Sequence, residues 1–253
     1  MIKVILVLLL AIGTPVIAKE PAKGISDANQ LTAKTWLVAN EDRVLDGIET
    51  NVPRPIASIT KLFTVLTIME SHKDLTSQYI SYDKSLRVTR EELIEMALVR
   101  SDNKAADLLC KTYVGGYNKC ISDMNSNAVK WGLTNTTLTD STGLDSGNMS
   151  TAEDLLKLLK IAEQNYMVVR ASSKSKVEIK VKKRWFTFNQ TNPLISGKKY
   201  DFVVSKTGTT SAAGGCIVLT VQTDKGLRRV IVLGSKNGRT RIPEAEFIFK
   251  NVS

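Results

Sequence analysis

Apolar positions divide the chain into three regimes. Val4 to Ile12 is a short unbroken apolar run behind a basic start, Met1-Ile2-Lys3, and ahead of the small residues that end at Ala18. Runs with helical spacing fill the middle, and short β-rich runs separated by polar turns fill both flanks. Thr35 to Ala39 and Arg43 to Leu45 bracket Asn40-Glu41-Asp42, which predicts a hairpin. Leu62 to Met69 is apolar on nearly every side and predicts a buried helix, with His72 exposed at its far end. Thr89 with Glu92 forms a capping box for a helix over Glu91 to Val99, and a second helix spans Lys104 to Thr112. Tyr117 to Trp131 is a third, stopped by Gly132, and a loop from Leu133 to Asn148 follows. Ser150 with Glu153, or Thr151 with Asp154, caps the helix Leu155 to Glu163. Lys174 to Lys182 alternates like a strand with one wet face. Asp201 to Gly208, Gly215 to Val221 and Val230 to Gly234 predict an antiparallel meander, closed by a helix from Pro243 to Phe249. These elements make an α+β fold.

Candidate chemistry begins where polar residues interrupt the buried pattern. Ser58 stands just before the apolar helix, and Lys61 lies three residues on, so one helical turn brings hydroxyl and amine to the same face. The pattern S-x-x-K starts at Ser58, Ser81, Ser101, Ser173 and Ser196, and only at Ser58 does a long apolar helix follow. An amine activates a serine only when uncharged, and burial favours that form. His72 is the sole imidazole and sits several turns from Ser58, so a Ser-His-Asp triad has no base and lysine is the base expected. Ser101-Asp102-Asn103 falls at the junction of two helices, where a bare capping role is the simpler reading. Lys206-Thr207-Gly208 occurs once, on a predicted strand. S-x-x-K, S-x-N and K-T-G in that order, on helix, junction and strand, form the motif set of penicillin-binding proteins and class A β-lactamases.

Further residues extend this likeness over nearly the whole mature chain: Pro55 to Leu62, Val114 to Tyr117, Ser141 to Leu144, Asn148 to Leu155 and Lys206 to Gly214. The chain resembles the low-molecular-mass penicillin-binding proteins, the serine D-alanyl-D-alanine peptidases of peptidoglycan, most closely its endopeptidases of the penicillin-binding protein 7 type. The resemblance implies a β-lactamase/transpeptidase-like fold, with a helical lobe over about 58–165 set against a sheet built from the first hairpin and the last meander. It implies Ser58 as nucleophile and Lys61 as base, with the charge of Lys206 helping to keep Lys61 neutral. Ser101 would relay a proton to the leaving amine and Asn103 would orient Lys61 and the substrate amide. Lys206, Thr207, Gly208 and Thr209 would bind substrate, with the backbone N–H groups of Ser58 and Thr209 as oxyanion donors. Peptidoglycan cross-links are the implied substrate and β-lactams the implied covalent inhibitors; no cofactor or metal is called for. The short stretch after the last strand favours an endopeptidase over a carboxypeptidase with an added domain. A class A β-lactamase would need an E-x-x-L-N stretch between the second and third motifs, which the sequence lacks. An idle, basic wall-binding protein is the non-enzymatic alternative.

Composition changes the picture at three points. The leading apolar run is too short to span a bilayer and reads as a signal peptide over 1–18, placing a catalytic domain over 19–253 in the periplasm with no membrane span. A net charge of +10 raises the question of nucleic acid, but export points to an anionic wall or membrane surface instead. Three cysteines suit an oxidising compartment: Cys110 and Cys120 flank the turn Val114-Gly115-Gly116 and are expected to pair, leaving Cys216 a buried thiol. No C-x-x-C or His/Cys cluster suggests a metal.

Overall fold

A computed structural model describes residues 31–72, 74–181 and 183–252; the expected signal peptide lies outside them, as do Lys73 and Lys182. Strands β1 (Thr35–Ala39) and β2 (Val44–Ile48) form the expected hairpin. A two-residue strand β3 (Arg54–Pro55) leads into a tight 3-10 turn, Ala57–Ile59, which runs directly into helix α1 (Thr60–Ser71). Every α1 residue from Thr60 to Ile68 is buried, as the all-round apolar pattern requires. His72 closes α1, its N–H donating to Ile68 O at 2.9 Å. Its ring is half-buried edge-on against Tyr113, with centroids 5.6 Å apart, rather than exposed. The reason is tertiary, because Tyr113 arrives from a later helical hairpin.

A small hairpin, β4 (Tyr79–Ser81) and β5 (Arg87–Thr89), precedes α2 (Arg90–Val99). Thr89 and Glu92 make both halves of the expected capping box. Helices α3 (Asn103–Lys111) and α4 (Gly116–Lys130) follow, joined by the Cys110–Cys120 disulfide, and Cys216 is a buried free thiol. After β6 (Met149–Ser150), which pairs with β3, come α5 (Ala152–Ala162) and α6 (Tyr166–Ser172). Of the two caps the sequence allows for α5, the hydroxyl of Thr151 makes the bond, accepting from Asp154 N. The hairpin β7 (Lys176–Val181) and β8 (Arg184–Asn189) and the short helix α7 (Pro193–Ser196) lead to β9 (Asp201–Thr210), β10 (Gly214–Thr223) and β11 (Gly226–Ser235), and α8 (Arg241–Asn251) ends the described chain.

The two flanks meet in one antiparallel sheet of order β2-β1-β11-β10-β9, with Leu37 opposite Ile231 and Cys216 opposite Gly208. Strand alternation sends Leu37, Val204, Val218, Ile231 and Leu233 toward helices α1 to α6. Trp36, Ile217, Leu219, Val230 and Val232 face the other way, under Ala245, Ile248 and Phe249 of α8. Glu163, at the end of α5, accepts from Arg229 Nη2 of β11 at 2.6 Å and ties the helices to the sheet. This arrangement leaves β9 at the sheet edge, beside the 3-10 turn that carries Ser58.

Candidate active site

Ser58 lies in the 3-10 turn, two residues ahead of the start of α1, not in the helix itself. Lys61 still follows on its face, and Lys61 Nζ is 2.8 Å from Ser58 Oγ. Ala57, just before the serine, has φ of +47°, a left-handed conformation that costs an L-residue with a Cβ. Two glycines make room for this turn. A Cβ on Gly143 would lie 1.8 Å from Ala57 O, and one on Gly208 would lie 2.7 Å from Ser58 N. At position 208 hydrogen alone lets strand β9 press against the nucleophile's backbone.

The second motif is placed by the junction of α2 and α3. Ser101 has φ of +63°, and Asp102 then caps α3 by accepting from Ala105 N at 2.8 Å. Tyr82 Oη donates to both oxygens of Asp102, at 3.1 and 3.0 Å, and so holds that junction from the β4–β5 side. The cap points Asn103 back at the lysine: its Oδ1 accepts from Lys61 Nζ at 2.7 Å. Lys61 Nζ also donates to Thr142 O at 2.6 Å. That carbonyl belongs to the loop after α4, whose backbone is gathered by Asp140: its carboxylate accepts from the N–H groups of Thr142, Gly143 and Asp145.

The third motif lies on β9. Lys206 is 1% exposed and donates to Ser101 Oγ and to Thr207 O, both at 2.7 Å. Thr207 Oγ1 meets Thr191 Oγ1 at 2.6 Å. Gly208 is buried and Thr209 exposed, and Arg241 of α8 reaches across the sheet to donate to Gly208 O at 3.1 Å and to the Thr209 hydroxyl. Arg241 is itself almost wholly buried, and its Nε has no partner among the described residues. The eight residues singled out from the sequence thus converge on one cleft edge. Three further contributors were given no role by the sequence: Thr142, which lies in the matching stretch Ser141 to Leu144 and acts through its backbone carbonyl, Thr191, and Arg241, which comes from a helix on the far side of the sheet.

Burial governs the charges. Lys61 is 0% exposed, and burial brings its pKa down to about 7 even though Asp140 and then Asp102 pull it upward. Lys206 is driven well below the usual ammonium range, first by burial and then by the charges of Lys61 and Arg241. Burial, expected from the sequence to favour the neutral amine, is the leading cause at both lysines. Backbone donors from Asp145, Gly143 and Thr142 outweigh burial at Asp140, which stays ionised below the usual carboxylate range. The cleft edge can thus offer a hydroxyl beside an uncharged amine at neutral pH, with a second amine and a guanidinium behind the edge strand. Among the described residues no group of His, Cys, Asp and Glu could hold a metal ion, and no helix is long and apolar enough to cross a membrane.

Comparison with known proteins gives the family and the fold. The family model described as D-alanyl-D-alanine carboxypeptidase, peptidase family S11, matches residues 21–237. A D-alanyl-D-alanine endopeptidase of Pseudomonas aeruginosa is 31% identical over 261 residues, covering 96% of this chain and 84% of that protein. One of Escherichia coli is 29% identical over 236 residues, covering 85% and 76%. Among solved structures, penicillin-binding protein D2 of Listeria monocytogenes in its ampicillin-bound form superposes with a TM-score of 0.77 at 25% identity, covering 87% of this chain and 96% of that one.

Proposed function

The chain belongs to peptidase family S11, the D-alanyl-D-alanine carboxypeptidases, and from that premise we propose a penicillin-sensitive serine peptidase that hydrolyses D-alanyl bonds of peptidoglycan, acting as an endopeptidase on peptide cross-links. One observation carries the mechanism: Lys61 Nζ touches Ser58 Oγ while Asn103 Oδ1 and Thr142 O hold it from other directions. A neutral amine has two N–H bonds and one lone pair. With both N–H groups spent on Asn103 and Thr142, the lone pair points at the serine hydroxyl, the arrangement a general base needs.

Ser58 Oγ attacks the D-alanyl carbonyl as its proton passes to Lys61. The backbone N–H groups of Ser58 and Thr209, brought together by the close approach of Gly208, receive the oxyanion. Ser101, bonded to Lys206, relays a proton to the leaving amine and is reprotonated by the one Lys61 took from Ser58, so that Lys61 is again neutral, and Asn103 orients Lys61 and the substrate amide. Collapse of the tetrahedral adduct breaks the C–N bond and leaves an ester on Ser58, which water then hydrolyses. The edge strand β9 pairs with the extended substrate, and Lys206, Thr207 and Thr209, backed by the Arg241 guanidinium, favour a carboxylate beside the scissile bond. The endopeptidase names of the two relatives support cross-links as substrate, and the ampicillin-bound structure supports β-lactams as acylating inhibitors. We place the protein in the periplasm, exported by its leading segment. The family description keeps a carboxypeptidase as the second reading.

Intact-mass measurement after penicillin treatment tests the nucleophile: one adduct is expected, and none on Ser58→Ala. Persistent labelling of Ser58→Ala rules the assignment out. Digestion of purified cross-linked muropeptides separates the two readings, since loss of dimers marks an endopeptidase and release of terminal D-alanine alone marks a carboxypeptidase.

A further inference from the structure

The carbonyl of Thr142 belongs to no motif, so something else must hold it in place. The residue before it supplies the hold. Ser141 is fully buried, and its polar groups are bonded to three helices, the hydroxyl also lying 3.4 Å from Tyr117 Oη. Its N–H donates to Tyr117 Oη of α4 at 3.2 Å, its carbonyl accepts from Thr64 Oγ1 of α1 at 2.8 Å, and its hydroxyl donates to Asp107 Oδ1 of α3 at 3.1 Å. Thr64 sits one turn beyond Lys61 on the same helix, so the carbonyl grip keys the loop to the helix that carries the base. The other two grips are keyed to each other by a covalent bond. Cys110 lies three residues after Asp107 on α3, Cys120 three residues after Tyr117 on α4, and the two are disulfide-bonded. Because i and i+3 share a helix face, the bond that staples the two helices also sets the spacing between the Asp107 carboxylate and the Tyr117 hydroxyl.

We propose that Tyr117 and Asp107, held in register by Cys110–Cys120, are positioning residues for the catalytic lysine, acting through Ser141 on the Thr142 carbonyl. This rests on Lys61 as general base and deepens that reading. If Thr142 O drifts, Lys61 keeps Asn103 as its one fixed acceptor and can rotate about that bond, so its lone pair no longer holds to Ser58. Substrate contacts on β9 are untouched. The loss therefore falls on the acylation step and spares the binding that precedes it.

The test is rapid-mixing acylation of the full chain by a fluorescent penicillin, resolved into the pre-acylation dissociation constant and the first-order acylation constant. Tyr117→Phe and Asp107→Ala are each expected to lower the acylation constant by roughly tenfold, the rate equivalent of one positioned hydrogen bond, and to leave the dissociation constant unchanged. Asp107→Asn keeps an acceptor for the Ser141 hydroxyl and should retain at least half of the wild-type constant. Cys110→Ala/Cys120→Ala should slow the same step. Unchanged acylation in Tyr117→Phe and Asp107→Ala would overturn the proposal, since Asp140 alone would then suffice to hold the loop. So would an Asp107→Asn variant as slow as Asp107→Ala, or a loss confined to binding. Unchanged acylation in the double-cysteine variant removes the staple from the proposal. Failure of the underlying assignment shows itself separately, as label on Ser58→Ala, whatever these variants do.

Discussion

Lys61 carries the heaviest demand placed on a single side chain in this molecule. In water its ammonium would persist to above pH 10, and it would be useless as a base. Burial lowers its pKa to about 7, against the upward pull of Asp140 first and Asp102 second. The sign for activity follows directly. Below that value Lys61 is protonated and has no lone pair for Ser58, so acylation by penicillin should rise with pH on a limb centred near 7 and fall by about tenfold per unit well below it. Replacing Asp140 with Asn removes the carboxylate that most favours the ammonium, and should move that limb to lower pH. A pH profile of the acylation constant for both proteins checks the pair; a limb that stays put in Asp140→Asn would show that the carboxylate does not reach the lysine.

Helix ends and crosslinks decide where the site's elements stand. Asp102 starts α3 with Asn103 as its first residue, so the cap that begins the helix also aims the amide at Lys61. At the other end of α3 the disulfide closes a short loop, with a sequence separation of 10 between Cys110 and Cys120. Loop-closure entropy for a ring of that size predicts that Cys110→Ala/Cys120→Ala loses about 3 kcal/mol of stability, measurable as a lower urea midpoint. Much of this level was legible in the chain. The Thr89–Glu92 capping box, the cap of α5, the hairpin and the meander all follow from local spacing. The β4–β5 hairpin and the short helices α6 and α7 were not legible, because elements of three to seven residues carry too few positions to establish a period and are held by what they pack on.

At the scale of the whole molecule, the cleft exists because a helical layer is fixed against one face of the sheet with β9 left at the edge. The buried pair of Glu163 and Arg229 is one of the fixings: both side chains are below 10% exposed, Glu163 also accepts from Thr220 Oγ1 at 2.6 Å, and Arg229 reaches Asn40 O at 2.9 Å. Removing one partner strands the other charge where little of its side chain reaches solvent. Glu163→Ala should therefore cost about 3 kcal/mol in equilibrium unfolding, well above the effect of breaking an exposed pair such as Lys130–Glu70. A loss below about 1 kcal/mol would mean that Arg229 finds solvent or another acceptor.

The chain by itself determined the order of the three motifs, the pairing of Ser58 with Lys61, the choice of that serine over the other four of the same pattern, and the sheet built from both flanks. The first three rest on motif order and on neighbours within a turn of helix; the joining of the two flanks in one sheet came only through the family resemblance, because β1 and β11 are far apart in sequence. Tertiary structure decided the rest. The Thr142 carbonyl comes from 81 residues beyond Lys61 and Arg241 from 33 beyond Gly208; His72 is packed rather than exposed because Tyr113 returns to meet it. The neutrality of Lys61 belongs to the same class. Desolvation is a sum over atoms contributed by segments remote in sequence, so the chain could name the base but only the fold could make it one.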